Sequence, residues 1–157
     1  MSFRTKPQSL YIHIPFCTKK CRYCDFFSFS SSDDSFIRRV LSETLNQVNF
    51  YSGRYGISSL KTLYIGGGTP TSIKKAEIGT FIENILSIHD SLPEEFTIEI
   101  NPETVDNNLI TLLADLPVTR LSIGIQSFSS RMVELIGRNC SVKSNYKALE
   151  MVKKLDK

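Results

Sequence analysis

Leu60-Lys-Thr-Leu-Tyr-Ile-Gly-Gly-Gly-Thr-Pro70-Thr-Ser-Ile-Lys-Lys-Ala-Glu-Ile-Gly-Thr-Phe-Ile-Glu-Asn-Ile-Leu86 changes periodicity at its glycines. Residues 60–65 are rich in β-branched and aromatic side chains, which predicts a strand. Residues 66–70 then supply a glycine triplet and a proline, which interrupt it. Beyond them Ile78, Phe81, Ile82, Ile85 and Leu86 recur at the spacing of one helix face, with Ser72 as the expected cap. The stretch is one βα unit.

The same unit recurs on both sides. Upstream, residues 10–16 read as a strand and residues 35–50 as a helix carrying Ile37, Val40, Leu41, Leu45 and Val48 on one side. Asp33 and Asp34 precede that helix as capping candidates. Downstream, residues 96–100 form a third strand ended by Asn101-Pro102, and Asp106 is placed to cap a helix bearing Leu109, Ile110, Leu112 and Leu113. Residues 118–125 predict a fourth strand, followed by helices over 129–136, closed by Gly137, and over 143–155.

Strands alternating with helices at this spacing predict an α/β fold with a parallel sheet. A closed eight-fold barrel takes about 250 residues, and this chain has 157. The sheet is therefore open, or the chain is part of a larger barrel. Either way, binding groups belong at the C-terminal ends of the strands. Three cysteines follow strand one, the glycines follow strand two, Glu99 lies near the end of strand three and Gln126 follows strand four.

Composition narrows the function classes. Apolar residues make up 41% and charged residues 22% of the chain, the balance of a globular protein and not of a disordered one. The net charge of +3 is too small and too dispersed to predict a nucleic-acid partner. No apolar run approaches the ~20 residues of a membrane helix. The apolar stretch after the N-terminus is broken by His13 and Pro15, so no signal peptide is predicted and the expected location is cytoplasmic.

Cys17-Thr-Lys-Lys-Cys21-Arg-Tyr-Cys24 holds three of the four cysteines in the pattern C-x3-C-x2-C. Three cysteines in one loop do not make a disulfide framework, and in a cytosolic setting such a cluster predicts a metal or redox site. Three thiolates can hold three corners of a cubane iron–sulfur cluster and leave one iron open. Lys19, Lys20 and Arg22 would lower the thiol pKa values and offset the cluster's negative charge. The competing readings are a zinc knuckle completed by His13, His89 or Cys140, and plain buried thiols.

The residues around the cysteines carry a resemblance. Tyr11-Ile-His-Ile-Pro-Phe-Cys17, Tyr23 before the third cysteine and Asp25-Phe26 after it are similar to the radical S-adenosylmethionine (SAM) superfamily. Within it they look most like the oxygen-independent coproporphyrinogen III oxidase family. Gly66-Gly-Gly-Thr-Pro70, Glu99-Ile-Asn-Pro-Glu103, Arg120-Leu-Ser-Ile-Gly-Ile-Gln-Ser-Phe128 and Gly137-Arg138 extend the resemblance over nearly the whole chain, in the family's order.

The resemblance implies a [4Fe–4S] cluster on Cys17, Cys21 and Cys24, whose open iron chelates SAM. An electron from a donor such as flavodoxin or ferredoxin then cleaves SAM to methionine and a 5′-deoxyadenosyl radical. It implies SAM contacts at Tyr11, Tyr23, Gly67, Gly68, Thr69, Glu99, Gln126 and Arg138. Gly67, Gly68 and Thr69 would let the backbone approach the methionine end. Glu99 would accept from ribose hydroxyls, Arg138 would pair with the methionine carboxylate, and Gln126 would meet ribose or carboxylate. Tyr11 and Tyr23 would pack against SAM or the cluster. His13 reads as a hydrogen-bonded strand residue, and Cys140 as a small buried apolar one.

Two departures from the family pattern shape the expectation. The oxidases resemble C-x3-C-x2-C-x-C, whereas Phe26 stands at the last of those positions here. The Cys-Asp-Phe form looks like the branch regarded as haem chaperones, which makes coproporphyrinogen oxidation the alternative. Haem or a porphyrinogen is the implied partner of the full-length form. The family core is also a six-unit barrel with a further C-terminal domain. Residues 1–157 are thus expected to be the N-terminal part of a radical SAM core: a partial (β/α) barrel of about four units, with the remainder absent. A zinc-stabilised binding module and a non-functional remnant are the competing classes.

Overall fold

The computed structural model describes residues 6–30 and 33–155. Its centre is a four-stranded, all-parallel sheet in the order β1 (Ser9–Ile14), β2 (Thr62–Gly67), β3 (Glu95–Ile100) and β4 (Arg120–Ile123). Sequence order equals spatial order, so each βα unit adds one strand to the same edge. Helix α1 (Asp34–Tyr55) follows β1, α2 (Lys75–Ser87) follows β2 and α3 (Asn107–Asp115) follows β3. Helices α4 (Ser130–Leu135) and α5 (Val142–Val152) come after β4 with no strand between them.

Successive side chains of a strand point to opposite faces of a sheet. Here one face is apolar and the other polar. Ile12, Ile14, Leu63, Ile65, Phe96, Ile98 and Ile100 are buried in one cluster with Ile37 and Leu41 of α1, Ile78 and Ile82 of α2, and Leu109 and Leu113 of α3. On the opposite face the register sets Tyr11 beside Tyr64, Tyr64 beside Thr97, Thr97 beside Arg120, and Glu99 beside Ser122. Parallel sheets of doubly wound folds bury both faces and read as continuous apolar runs. The alternation here, with helices on one side, is that of a barrel wall whose polar face turns inward. The sheet is not closed, and the architecture is a partial barrel.

Local chemistry explains the element ends. Asp33 caps α1 by accepting from the backbone N–H groups of Ser35 and Phe36, and Gly56 ends that helix in the left-handed region at φ 61°. Asp106 caps α3 and Ser129 caps α4, while Ser141 and Ser144 form a capping box at α5. The expected Ser72 cap is not formed. Pro70–Ser72 instead makes a 3-10 turn, the Ser72 hydroxyl donates to the carbonyl of Phe16, and α2 begins after Lys74 without a side-chain cap. The fourth strand is shorter than residues 118–125: it starts at Arg120, and after Gly124, whose N–H still bonds Ile100 O, the chain turns tightly at Ile125 and Gln126.

Candidate functional site

The cysteine loop is pinned at both ends. Phe16 and Phe29 form an isolated parallel bridge, with Phe29 N–H donating to Pro15 O and Cys17 N–H to Phe29 O. The Phe16 ring is buried edge-on against Phe29 and Phe36. Further along, Arg22 N–H donates to Ile136 O and its guanidinium reaches Leu135 O, which ties the loop to α4. A Cβ on Gly137 would lie 2.9 Å from the Arg22 side chain, at a backbone φ of 69°. Glycine is required there for the loop to dock.

The pinned loop roofs a cleft of about 340 Å³ at the C-terminal ends of the strands. Cys17, Cys21 and Cys24 line it, together with Tyr23, Gly67, Gly68, Thr69, Glu99, Gln126 and Arg138. Every sequence-predicted site residue except Tyr11 is therefore brought to one cavity. Tyr11 is 54% exposed. Its ring lies against Tyr64, its hydroxyl bonds His13 Nδ1 at 3.2 Å, and it lines a different groove, between β1 and α1. Strand alternation puts it on the polar face with Glu99, but in the row of Tyr64 and Thr97, two residues short of the cleft end of the sheet.

Several residues do more within the protein than the sequence suggests. A Cβ on Gly68 would stand 2.5 Å from the Phe16 carbonyl, and one on Gly67, at φ 109°, would stand 2.6 Å from the His13 ring. Neighbouring chain already requires both glycines, before any ligand is considered. Glu99 is a brace as well as a cleft residue: Tyr64 O–H donates to its Oε1 at 2.6 Å and Gly67 N–H to its Oε2 at 3.0 Å. A carboxylate has about four acceptor positions, so some remain for a ligand. Burial pushes the Tyr64 hydroxyl pKa up, and the bond to Glu99 adds to the rise.

Arg138 is the hub of the cleft. Its side chain is 4% exposed and paired with Glu103 Oε2 at 3.5 Å. Nη2 donates to Gly124 O at 2.6 Å and Asn101 Oδ1 at 3.0 Å, and Nη1 lies 3.9 Å from Cys21 Sγ. Burial by itself lowers the pKa of this guanidinium, but Glu103 and the adjacent thiols outweigh it and hold the value above the ordinary arginine range. Its Nε is buried with no partner among the described residues. Gln126, in the cleft lining, takes a left-handed backbone at φ 60°, uncommon for a residue with a side chain. Sequence reasoning missed Asn101 and Glu103. Both stand inside the quoted Glu99–Glu103 motif, but their partner, Arg138, comes from the far side of β4.

All four cysteines are free thiols, and Cys140 is half-buried beside Arg138 instead of packed in the core. Among the described residues no three His, Cys, Asp or Glu side chains converge to hold a single metal ion. Of the three completions for a zinc knuckle, the two histidines are engaged elsewhere. His13 bonds Tyr11 and, through Nε2 at 2.8 Å, the Phe27 carbonyl; His89 bonds Ser52 and Ile85. A cubane has different requirements, because its irons occupy separate corners and its thiolates need only face one cavity. Three thiols on one wall, Lys19 and Lys20 at the rim and an electropositive hub behind fit that group.

Comparison with known proteins agrees with the geometry. The family model described as the radical SAM superfamily matches residues 11–157. The chain belongs to this superfamily. Among curated proteins it is 36% identical over 153 residues to a heme chaperone HemW from Lactococcus lactis and 33% identical to one from Bacillus subtilis, covering 95% and 94% of this chain. It is 29% identical to an oxygen-independent coproporphyrinogen III oxidase from Paracoccus denitrificans. Among solved structures, coproporphyrinogen III oxidase (HemN) from Escherichia coli superposes with a TM-score of 0.80 at 25% identity, over 98% of this chain and 36% of that one. The chain spans 38% and 39% of the length of the two chaperones. Among the described residues no helix is long and apolar enough to cross a membrane.

Proposed function

We propose that this chain is the N-terminal part of a radical SAM core of the haem-chaperone branch, acting in the cytoplasm. Cys17, Cys21 and Cys24 hold a [4Fe–4S] cluster, and the strand-end residues hold SAM beside it. One observation carries the reading: three thiols and the loops after β1, β2, β3 and β4 line one cleft. When bound, the cluster supplies the electron that cleaves SAM, and a flavodoxin- or ferredoxin-type protein is the expected source of that electron.

The residues divide the work. Glu99, held by Tyr64 and Gly67, presents its remaining acceptor positions to ribose hydroxyls. Arg138 offers the SAM carboxylate a fixed positive charge at the cleft wall, even though both Nη groups already have partners. Gly67, Gly68, Thr69, Gln126 and Tyr23 complete the lining, and Gly67, Gly68 and Thr69 would take the methionine end of SAM. Phe26 is 63% exposed and lines the cleft where the oxidase pattern has cysteine. An apolar ring there suits a flat porphyrin and supplies no fourth thiol, which favours haem as the partner of the whole protein over oxidation of a porphyrinogen.

The test is anaerobic reconstitution with iron and sulfide, followed by iron per chain. Cys17→Ser, Cys21→Ser and Cys24→Ser should each lose the cluster, and Cys140→Ser should keep it. Equal loss in Cys140→Ser, or tight zinc with no iron, would overturn the cluster assignment. Protoporphyrinogen IX formed from coproporphyrinogen III by the same preparation, given reductant and SAM, would move the protein to the oxidase branch.

A further inference from the structure

The cleft wall contains a chain of hydrogen bonds whose direction is fixed by chemistry. Arginine has five N–H donors and no acceptor. Arg138 Nη2 therefore donates to Asn101 Oδ1, at 3.0 Å. That orients the Asn101 amide, whose Nδ2 donates to Thr69 Oγ1 at 2.5 Å. The Thr69 hydroxyl, having accepted this bond, keeps one proton, and Cys17 Sγ lies 3.6 Å away. Once Cys17 is a cluster-bound thiolate it carries no proton, so the hydroxyl is the donor and the sulfur the acceptor. The other end of the same guanidinium, Nη1, approaches Cys21 Sγ.

This arrangement is built, and a loop residue serving its own turn does not explain it. The turn after β3 uses the Asn101 backbone, whose carbonyl accepts from Thr104 N–H and Oγ1–H. The amide side chain is left for the cleft. A Cβ on Gly124 would stand 2.3 Å from Asn101 Oδ1, so the amide can reach Arg138 only because residue 124 has no side chain. Glu103 and the Gly124 carbonyl hold the guanidinium from behind.

We propose that Asn101 is a positioning residue: it fixes the Thr69 hydroxyl as a donor to the Cys17 sulfur, and that bond raises the reduction potential of the cluster. The inference rests on the cluster reading above. Hydrogen bonds to the sulfurs are one of the terms that set an iron–sulfur potential. A reduced cluster carries one more negative charge, so a donor stabilises the reduced form more than the oxidised one.

The experiment is an EPR-monitored redox titration of the reconstituted chain, with iron per chain measured in parallel. Thr69→Val keeps the shape and removes the O–H, so its potential should move to a more negative value. Asn101→Asp accepts from Arg138 and from Thr69 alike, which turns the hydroxyl proton away from sulfur and should shift the potential in the same direction. Thr69→Ser keeps the donor and should titrate like the wild type. Full iron with unmoved potentials in Thr69→Val and Asn101→Asp would overturn the inference. So would a Thr69→Ser shift as large as that of Thr69→Val, or loss of iron in the two altered-donor variants, since either marks a purely structural role. A wild-type chain that takes up no cluster is a different result, and it removes the functional reading and this inference together.

Discussion

The two faces of the sheet are made by the same four strands, yet they are different materials. Ile12, Ile14, Leu63, Ile65, Phe96, Ile98 and Ile100 face the helices and are sealed from water. Tyr11, Tyr64, Thr97, Glu99, Arg120 and Ser122 face the other way and bond to one another or to solvent-facing groups. The apolar face holds the fold, and the polar face prepares the site without being the site. Only at the C-terminal rim, where Glu99 and its neighbour Ser122 reach the cleft, do the two tasks meet. A parallel sheet with one polar face has a clear use inside a barrel, where that face lines an interior that binds ligands.

The largest effects should come from the apolar face. Ile98→Ala removes a side chain that is 1% exposed at the centre of the core, and should destabilise the chain by about 2–5 kcal/mol. Ser122→Ala, on the polar face of the adjacent strand, should stay within about 0.5 kcal/mol. Urea unfolding of the two variants compares the faces directly. Equal losses would mean that the polar face is packed against something that holds the fold, and the barrel-interior reading would fail.

Glu99 tests the rim where the faces meet. Glu99→Ala removes a charged acceptor from the cleft and leaves all three cysteines in place. SAM affinity should fall by about 1.5–3 kcal/mol, roughly ten- to a hundred-fold, with iron per chain unchanged. Calorimetry giving wild-type SAM affinity would confine Glu99 to its bracing of Tyr64 and Gly67. Loss of iron as well would show that the brace also supports the cysteine loop.

How far the sequence discloses this molecule follows from how far each signal reaches. The four βα units, the caps Asp33, Asp106 and Ser129, and the glycine closing α4 rest on neighbours within one turn of chain, and all are legible. Ser72 misleads because Pro70 stabilises a 3-10 turn whose serine bonds a carbonyl from another loop. The cleft residues are legible through motif spacing, with Tyr11 the exception because it shares a row with Tyr64 and Thr97, two residues short of Glu99, on the edge strand. Asn101 and Glu103 are illegible for a plainer reason. Their roles exist only once the loops after β3 and β4 lie side by side and Arg138 comes between them.

The smallest effect belongs to the helix that covers the apolar face at β1. Asp33 accepts from Ser35 N–H at 2.9 Å, Ser35 O–H at 2.7 Å and Phe36 N–H at 3.2 Å. The Ser35 hydroxyl, then the backbone donors, hold its carboxyl below the ordinary aspartate value of 3.8. A carboxyl whose folded pKa is depressed adds stability that is complete above 3.8, the unfolded value, and is lost as pH falls through the lower folded value. Asparagine caps a helix about as well as aspartate but does not titrate. The stability difference between wild type and Asp33→Asn should therefore be small and constant near neutral pH, where the charged cap also faces the helix dipole. It should shrink as pH falls below 3.8, until two neutral caps are being compared. Thermal midpoints at matched ionic strength across that range measure it. A difference that persists unchanged to the acid end would mean that Asp33 stabilises α1 by shape alone, and that the face it clamps is indifferent to charge.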